Sequence, residues 1–257
     1  MTRQFETTNV RVDSNMEVEE TAKTLTEVIV SRVRADILRC RLKPGDKLRV
    51  EELRATYGAG GSPVREALSR LTSVGLVRVE GQRGFTVAEV STDDLLDLTR
   101  MRIWVESAAI RSSIRLGDRN WEAEILASAH RLGDDQPRVS ADGGAGLEPD
   151  WERRHREFHS ALVRACDSPR LMHQRDLLSD LSDRYRHMSV ASGIGGRNPG
   201  AEHAAIVAAA LARDAEKAAQ LIADHFLETA RIVLIGTGTS TSSASTLIDE
   251  LRRNLLQ

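Results

Sequence analysis

Aromatic residues make up only 4% of this 257-residue sequence, and its 40% apolar content rests mainly on Ala, Leu, Val and Ile. Few rings and many aliphatic side chains favour helix-on-helix packing over a β-sandwich. Cysteine is nearly absent. Cys40 and Cys166 lie far apart without paired spacing, so neither a disulfide framework nor a thiolate metal site is indicated, and a reducing cytoplasm is the expected location. No run approaches membrane-spanning length, and the start, Met1 to Lys23, is polar and acidic without the apolar stretch of a secretion signal. A large charge of one sign is also missing. The net charge of −2 excludes a globally basic coat, so any contact with nucleic acid must come from a local patch. The length suits two domains, each with its own core.

Residues 1–22 lack hydrophobic periodicity and read as a flexible tail. From Thr24 onward Leu25, Val28, Ile29, Val33, Ile37 and Leu38 recur at helical spacing, and Lys43-Pro44-Gly45 ends the run. A short second helix is expected over Val50 to Tyr57, then a turn at Gly58-Ala59-Gly60-Gly61. Ser62 is expected to cap a third helix, with Pro63 at its first position and Val64, Leu68 and Leu71 on its inner stripe. After Gly75, the apolar pattern at Leu76–Val79 and Phe85–Val87 predicts two short strands joined at Gly81-Gln82-Arg83-Gly84. From Thr92 the pattern predicts helices over about 93–116, 120–132, 150–166, 169–190, 199–212 and 214–235. The segment Gly236 to Thr246, rich in Ser, Thr and Gly, reads as a flexible linker before a short terminal helix, Leu247 to Leu256. The expected organisation is therefore a tail over 1–22, a first module over 23–90, a helical domain over 91–236, and the linker with its terminal helix over 237–257.

Three helices followed by a β-hairpin, with a glycine-bearing turn before the third helix, have the layout of a winged helix-turn-helix. Basic residues outnumber acidic ones between Ser31 and Val90. The third helix would present Arg65, Ser69 and Arg70 to the major groove, and long Arg side chains can grip guanine or phosphate with two hydrogen bonds. Arg49, Ser62 and, at the hairpin tip, Gln82 and Arg83 complete the candidate DNA contacts. A module used only for protein contact is the competing reading. The strings Leu42-Lys43-Pro44-Gly45-Asp46-Lys47-Leu48, Ser62-Pro63-Val64-Arg65-Glu66-Ala67-Leu68, Gly75-Leu76-Val77 and Arg83-Gly84-Phe85-Thr86-Val87 closely resemble the GntR family of regulators over about residues 25–90. That resemblance implies a transcription regulator, a repressor in function, binding an inverted repeat in double-stranded DNA as a homodimer. The chain departs from the family at Gly60 and Gly61, where a Ser or Thr and an Arg are usual, so two common DNA contacts are missing.

Four of the seven histidines form a second pattern. His155 and His159, four residues apart, differ by about 40° around a helix and share a face, where two imidazoles can chelate one metal ion. His203 and His225 fall on later helices. Core packing is the plainer alternative for each, and His130, His173 and His187 are assigned to surface or packing roles. The string Trp151 to Leu162, followed by Glu202-His203-Ala204-Ala205-Ile206 and Asp224-His225-Phe226, resembles the FadR-type (FCD) effector domain of GntR regulators. This is an antiparallel all-helical bundle, many members of which hold a divalent metal with one Asp and three His. The resemblance maps the three His to His159, His203 and His225, and the Asp to His155. Imidazole in place of that carboxylate makes the site more cationic and suits a divalent transition metal such as Zn²⁺ or Ni²⁺ better than a hard ion. A narrower resemblance, to CsiR-type repressors, includes the segment Arg184-Tyr185-Arg186 and implies glutarate or a related five-carbon diacid as effector.

A small carboxylate effector also follows from charge, since four neutral imidazoles leave an ion's double positive charge uncompensated. Arg102, at a position where the FadR-type family often has Arg, is the candidate carboxylate clamp, with an ion pair to Glu106 as its bland alternative. Tyr185 is the second candidate effector contact. The rival functional class is a metal-dependent hydrolase built on the histidine cluster. Helical zinc proteases place Glu directly after the first His, whereas here Glu157 lies about 200° from His155 around the helix.

Overall fold

The computed structural model describes residues 24–81, 84–133, 148–190 and 197–255. The first module packs α1 (Leu25–Leu38), α2 (Val50–Tyr57) and α3 (Gly61–Ser73) beside three short strands, β1 (Lys47–Leu48), β2 (Val77–Val79) and β3 (Phe85–Val87). Thr24 caps α1 in a reciprocal box with Glu27, satisfying two of the backbone donors a helix start leaves open. Ile29, Val33 and Ile37 then recur every fourth residue and bury one face completely. The strands pair antiparallel in the order β1-β3-β2. Strand β1 was not expected from the sequence. It has two residues, too few to show alternation, and forms because Lys47 and Leu48 register against Thr86 and Phe85.

The start of α3 departs from expectation. Ser62 is not the cap. The capping residue is Gly60, without a side-chain bond, and the helix begins at Gly61, so Ser62 and Pro63 occupy its second and third positions. Proline is tolerated there because the first backbone N–H groups of a helix have no partner within it. The turn before it is made by Gly58 alone, whose φ of 64° ends α2 in the left-handed region.

Among the described residues the regular elements of the second module are all helices: α4 (Thr92–Leu116), α5 (Arg119–Leu132), α6 (Pro149–Val163), α7 (Pro169–Val190), α8 (Pro199–Leu211), α9 (Ala215–Gly236) and α10 (Thr241–Leu255). Helix α9 packs on α4, α7, α8 and α10, while α5 lies against α6. The terminal stretch is a correction to the expected linker and short terminal helix. Helix α10 already starts at Thr241, and Ala244, Ile248 and Leu251 bury into the bundle core. The Ser/Thr-rich composition suggests flexibility, but the 4- and 3-residue spacing of these apolar positions gives the helix a face to bury, and tertiary packing outweighs weak propensity.

Candidate DNA interface and histidine centre

Helix α3 buries Val64, Ala67, Leu68 and Leu71 and leaves Ser62, Arg65, Ser69 and Arg70 exposed. The sequence-predicted contacts therefore share its outer face. Arg70 is drawn to Glu66 at 2.5 Å, and Arg49, at the start of α2, to Glu52 at 2.6 Å. Both pairs are exposed and lie within one helical turn, where solvent screens them, and they yield readily to a phosphate. Gln82 and Arg83 lie outside the described residues.

Helix α6 sets His155 and His159 one turn apart, α8 supplies His203 and α9 supplies His225. All four are buried, and one ring nitrogen from each lies within 4.8 Å of the others. The Nε2 atoms of His155 and His159 are 3.2 Å apart, close to the roughly 3.3 Å between neighbouring ligands of a tetrahedral site with metal–nitrogen bonds of about 2.0–2.1 Å. Trp151 stacks on His155 with ring centroids 4.7 Å apart, and Phe158 packs against His159 and His203. These rings form dry walls.

Burial, reinforced by the other imidazoles and nearby arginines, holds His155, His159 and His225 well below the ordinary histidine pKa. Burial and the charge of Arg197 bring His203 to about 4. At neutral pH the cluster is uncharged. His203 Nε2 is buried with no hydrogen-bond partner among the described residues, a cost of about 1–3 kcal/mol for a group that only packs. A divalent cation would remove that cost, so the donor set fits a metal. Of the other histidines, His130 and His173 are exposed, and His187 is buried against Glu152 at 2.6 Å.

Arg102 lies one layer away. Its guanidinium sits 4.0 Å above the Phe226 ring, which neighbours His159 and His225. NH1 donates to Ser182 at 2.7 Å, while Glu106 is 3.8 Å from NH2 and closer, at 3.1 Å, to Arg175. The intrahelical pair expected as the bland alternative is thus present but long. Burial lowers the Arg102 pKa to about 10, so it stays charged, with Glu106 and Asp183 as counter-ions at a distance. Its Nε is buried and unpartnered among the described residues. A small cavity joins Arg102, Ser182, Tyr185, Phe226 and Thr229. Tyr185 contributes its ring there, but its hydroxyl is committed elsewhere, donating to Asp94 at 2.5 Å and accepting from the Ser91 backbone. Burial and Asp94 push its pKa up, so it remains a neutral donor.

Sequence reasoning missed the residues behind the histidines. Glu202 faces His225 Nδ1 at 2.8 Å and is itself gripped by Arg197. Arg186 faces His155 Nδ1 at 2.8 Å. It also missed α7 as the seam between modules. Asp180 pairs with Arg34 of α1, Arg184 donates to the Ala88 carbonyl, and the Cys40 thiol contacts the Arg184 carbonyl. Leu181 packs against both hydrophobic cores. Glu157, on the side of α6 away from the cluster, is exposed and paired with Arg153 at 2.8 Å.

Comparison with known proteins gives the same two-part division. The FCD domain family matches residues 97–228, and the family of bacterial regulatory proteins, gntR family, matches residues 25–87. The uncharacterized HTH-type transcriptional regulator BphR of Paraburkholderia xenovorans (strain LB400) is 38% identical over 211 residues, covering 82% of this chain and 86% of its own. The HTH-type transcriptional repressor GlaR of Escherichia coli (strain K12) is 36% identical over 196 residues, covering 75% and 88%. Among solved structures, E. coli McbR/YncC superposes with a TM-score of 0.67 at 23% identity over 84% of this chain and 100% of its own, a likeness of fold.

Proposed function

This chain belongs to the gntR family of bacterial regulatory proteins and carries an FCD domain, and we propose that it is a repressor whose histidine centre holds one divalent transition ion and whose operator affinity responds to a small carboxylate. It is a DNA-binding transcription regulator, not an enzyme. The observation that carries the proposal is the convergence of four buried, neutral imidazoles, with one ring nitrogen unsatisfied among the described residues. His155, His159, His203 and His225 would hold the ion, Zn²⁺ or Ni²⁺ by donor type, and the bound ion would supply positive charge that attracts a carboxylate.

Arg102 is the protein's own contribution to anion binding. A buried guanidinium whose nearest carboxylate is 3.8 Å away has donors to spare for a bidentate pair. The cavity beside it measures about 10 Å³, room for about one water, so a diacid of the glutarate type enters only as α4, α7 and α9 part. Helix α7 lines that cavity and also touches the first module through Asp180, Leu181 and Arg184, which would make it the path from effector to DNA. Two copies binding an inverted repeat through α3, with Arg65 nearest the bases, complete the reading.

The test is operator binding by purified protein, metal-loaded and metal-stripped, across short mono- and dicarboxylic acids. The proposal requires that one acid change the affinity of the loaded protein and that Arg102→Ala abolish the response. It fails if no carboxylate does so, or if the Arg102 variant responds unchanged.

A further inference from the structure

The four imidazoles differ on their outer sides. At His225, Nδ1 faces a carboxylate oxygen of Glu202 at 2.8 Å, an acceptor that keeps a proton on Nδ1 and leaves Nε2 with its lone pair. Arg197 NH2 also lies 3.0 Å from this Nδ1, but its protons are taken by Glu202 at 2.6 Å and by the His225 carbonyl at 2.9 Å. His225 is therefore preset as a ligand.

His155 is preset against it. Its Nδ1 lies 2.8 Å from NH1 of Arg186, and a guanidinium has only donors. Nδ1 must then accept, so the single proton of the neutral ring sits on Nε2, where it points to the Nε2 of His159 at 3.2 Å. In this arrangement neither nitrogen of His155 offers a free lone pair, and its Nε2–H has to turn away from His159 before His159 Nε2 can bind an ion. A cation bound at Nδ1 would displace the guanidinium directly. A cation bound at Nε2 would move the ring proton to Nδ1, aiming it at a donor. By either route Arg186 has to withdraw.

It has somewhere to go. NH2 of Arg186 is held by Asp183 at 2.5 Å, and Asp183 also takes Arg156, which bonds Asp180 at 2.6 Å. Asp180 in turn pairs with Arg34 of α1. We propose that Arg186 is a positioning residue that decides whether His155 joins the ligand set: three histidines bind with Arg186 in place, and the fourth joins only when it withdraws along the ion-pair chain toward α1. The inference rests on reading the cluster as a metal centre.

The test is zinc binding by the full chain, measured by competition with a chromophoric chelator, for the unaltered protein, Arg186→Gln and Arg186→Lys. The glutamine amide oxygen can accept from Nδ1–H, so Arg186→Gln should bind zinc about tenfold more tightly or better, by analogy with other groups behind metal-binding histidines. Arg186→Lys, still donor-only, should not. Loss of a merely structural arginine would change affinity in the opposite direction or leave it alone, and either result for Arg186→Gln overturns the inference. If zinc binds neither the unaltered chain nor Arg186→Gln, the metal reading fails and takes this one with it. A second measurement needs no variant at position 186. Long-range proton–nitrogen spectra of the metal-free chain, with His155 assigned by its loss in His155→Asn, should show the Nε2–H tautomer, and an Nδ1–H tautomer there would overturn the inference.

Discussion

Glu202→Gln removes one charge from behind His225 while leaving the imidazole in place. In the native arrangement a Glu202 oxygen accepts from His225 Nδ1 at 2.8 Å, and Arg197 closes on both oxygens at 2.9 and 2.6 Å. An amide is a weaker acceptor, and Arg197, losing its counter-ion, is left 3.0 Å from Nδ1. The change turns His225 toward the cation-capped state of His155. Substitutions at such positions lower metal affinity by roughly 10–100-fold, or about 1.4–2.7 kcal/mol. The cost to the metal-free fold is smaller. Glu202 sits in the first turn of α8, where a carboxylate adds about 0.3–1 kcal/mol through the helix dipole, and its partly exposed pair with Arg197 adds about as little. Competitive zinc titration and melting of the metal-free protein separate the two effects. Unchanged zinc affinity would refute the reasoning, as would a loss of metal-free stability as large as the loss in binding.

Arg65→Ala should cost about 1–3 kcal/mol of operator binding and flatten the salt dependence by about one unit of slope, read by anisotropy across a salt series; undiminished affinity would misplace the recognition helix. A carboxylate at a hundred times its dissociation constant should stabilise the metal-loaded protein by about 2.7 kcal/mol, and Arg102→Ala should erase that shift in a thermal melt. The depressed histidines set an acid limit. In the unfolded chain they titrate near about 6.5, so as pH falls below that value the unfolded state takes up protons first, and metal-free stability present above about 6.5 is lost progressively toward His203's value of about 4. Calorimetry of the metal-free chain at neutral and acid pH checks the sign, and a melting temperature that rises on acidification would contradict it.

The elements that carry a period were legible in the sequence. Ile29, Val33 and Ile37 announced α1, and the four-residue spacing of His155 and His159 announced their shared face. Features without a period were not. Gly60 and Gly61 read as turn residues because glycine is a poor helix former, yet they cap and begin α3; the cost is carried by Val64, Ala67, Leu68 and Leu71 in the core. Helix α10 was hidden by serine and threonine, whose side chains compete for backbone bonds. Glu202 and Arg186 stayed invisible for another reason. Each reaches its histidine with a long side chain from a helix other than the one bearing that histidine or from 23 and 31 residues away in the chain, and no local spacing encodes such a contact. The sequence singled out Tyr185, between Arg184 and Arg186, as an effector contact, while the commitment of its hydroxyl to Asp94 depends on how α4 and α7 meet.

Metal content of the purified chain, measured by mass spectrometry before and after incubation with zinc or nickel, is the most direct test of the histidine centre. The expected result is about one divalent transition ion per chain, lost on His203→Ala. A cluster that stays empty after both incubations would contradict it and return His155, His159, His203 and His225 to core packing.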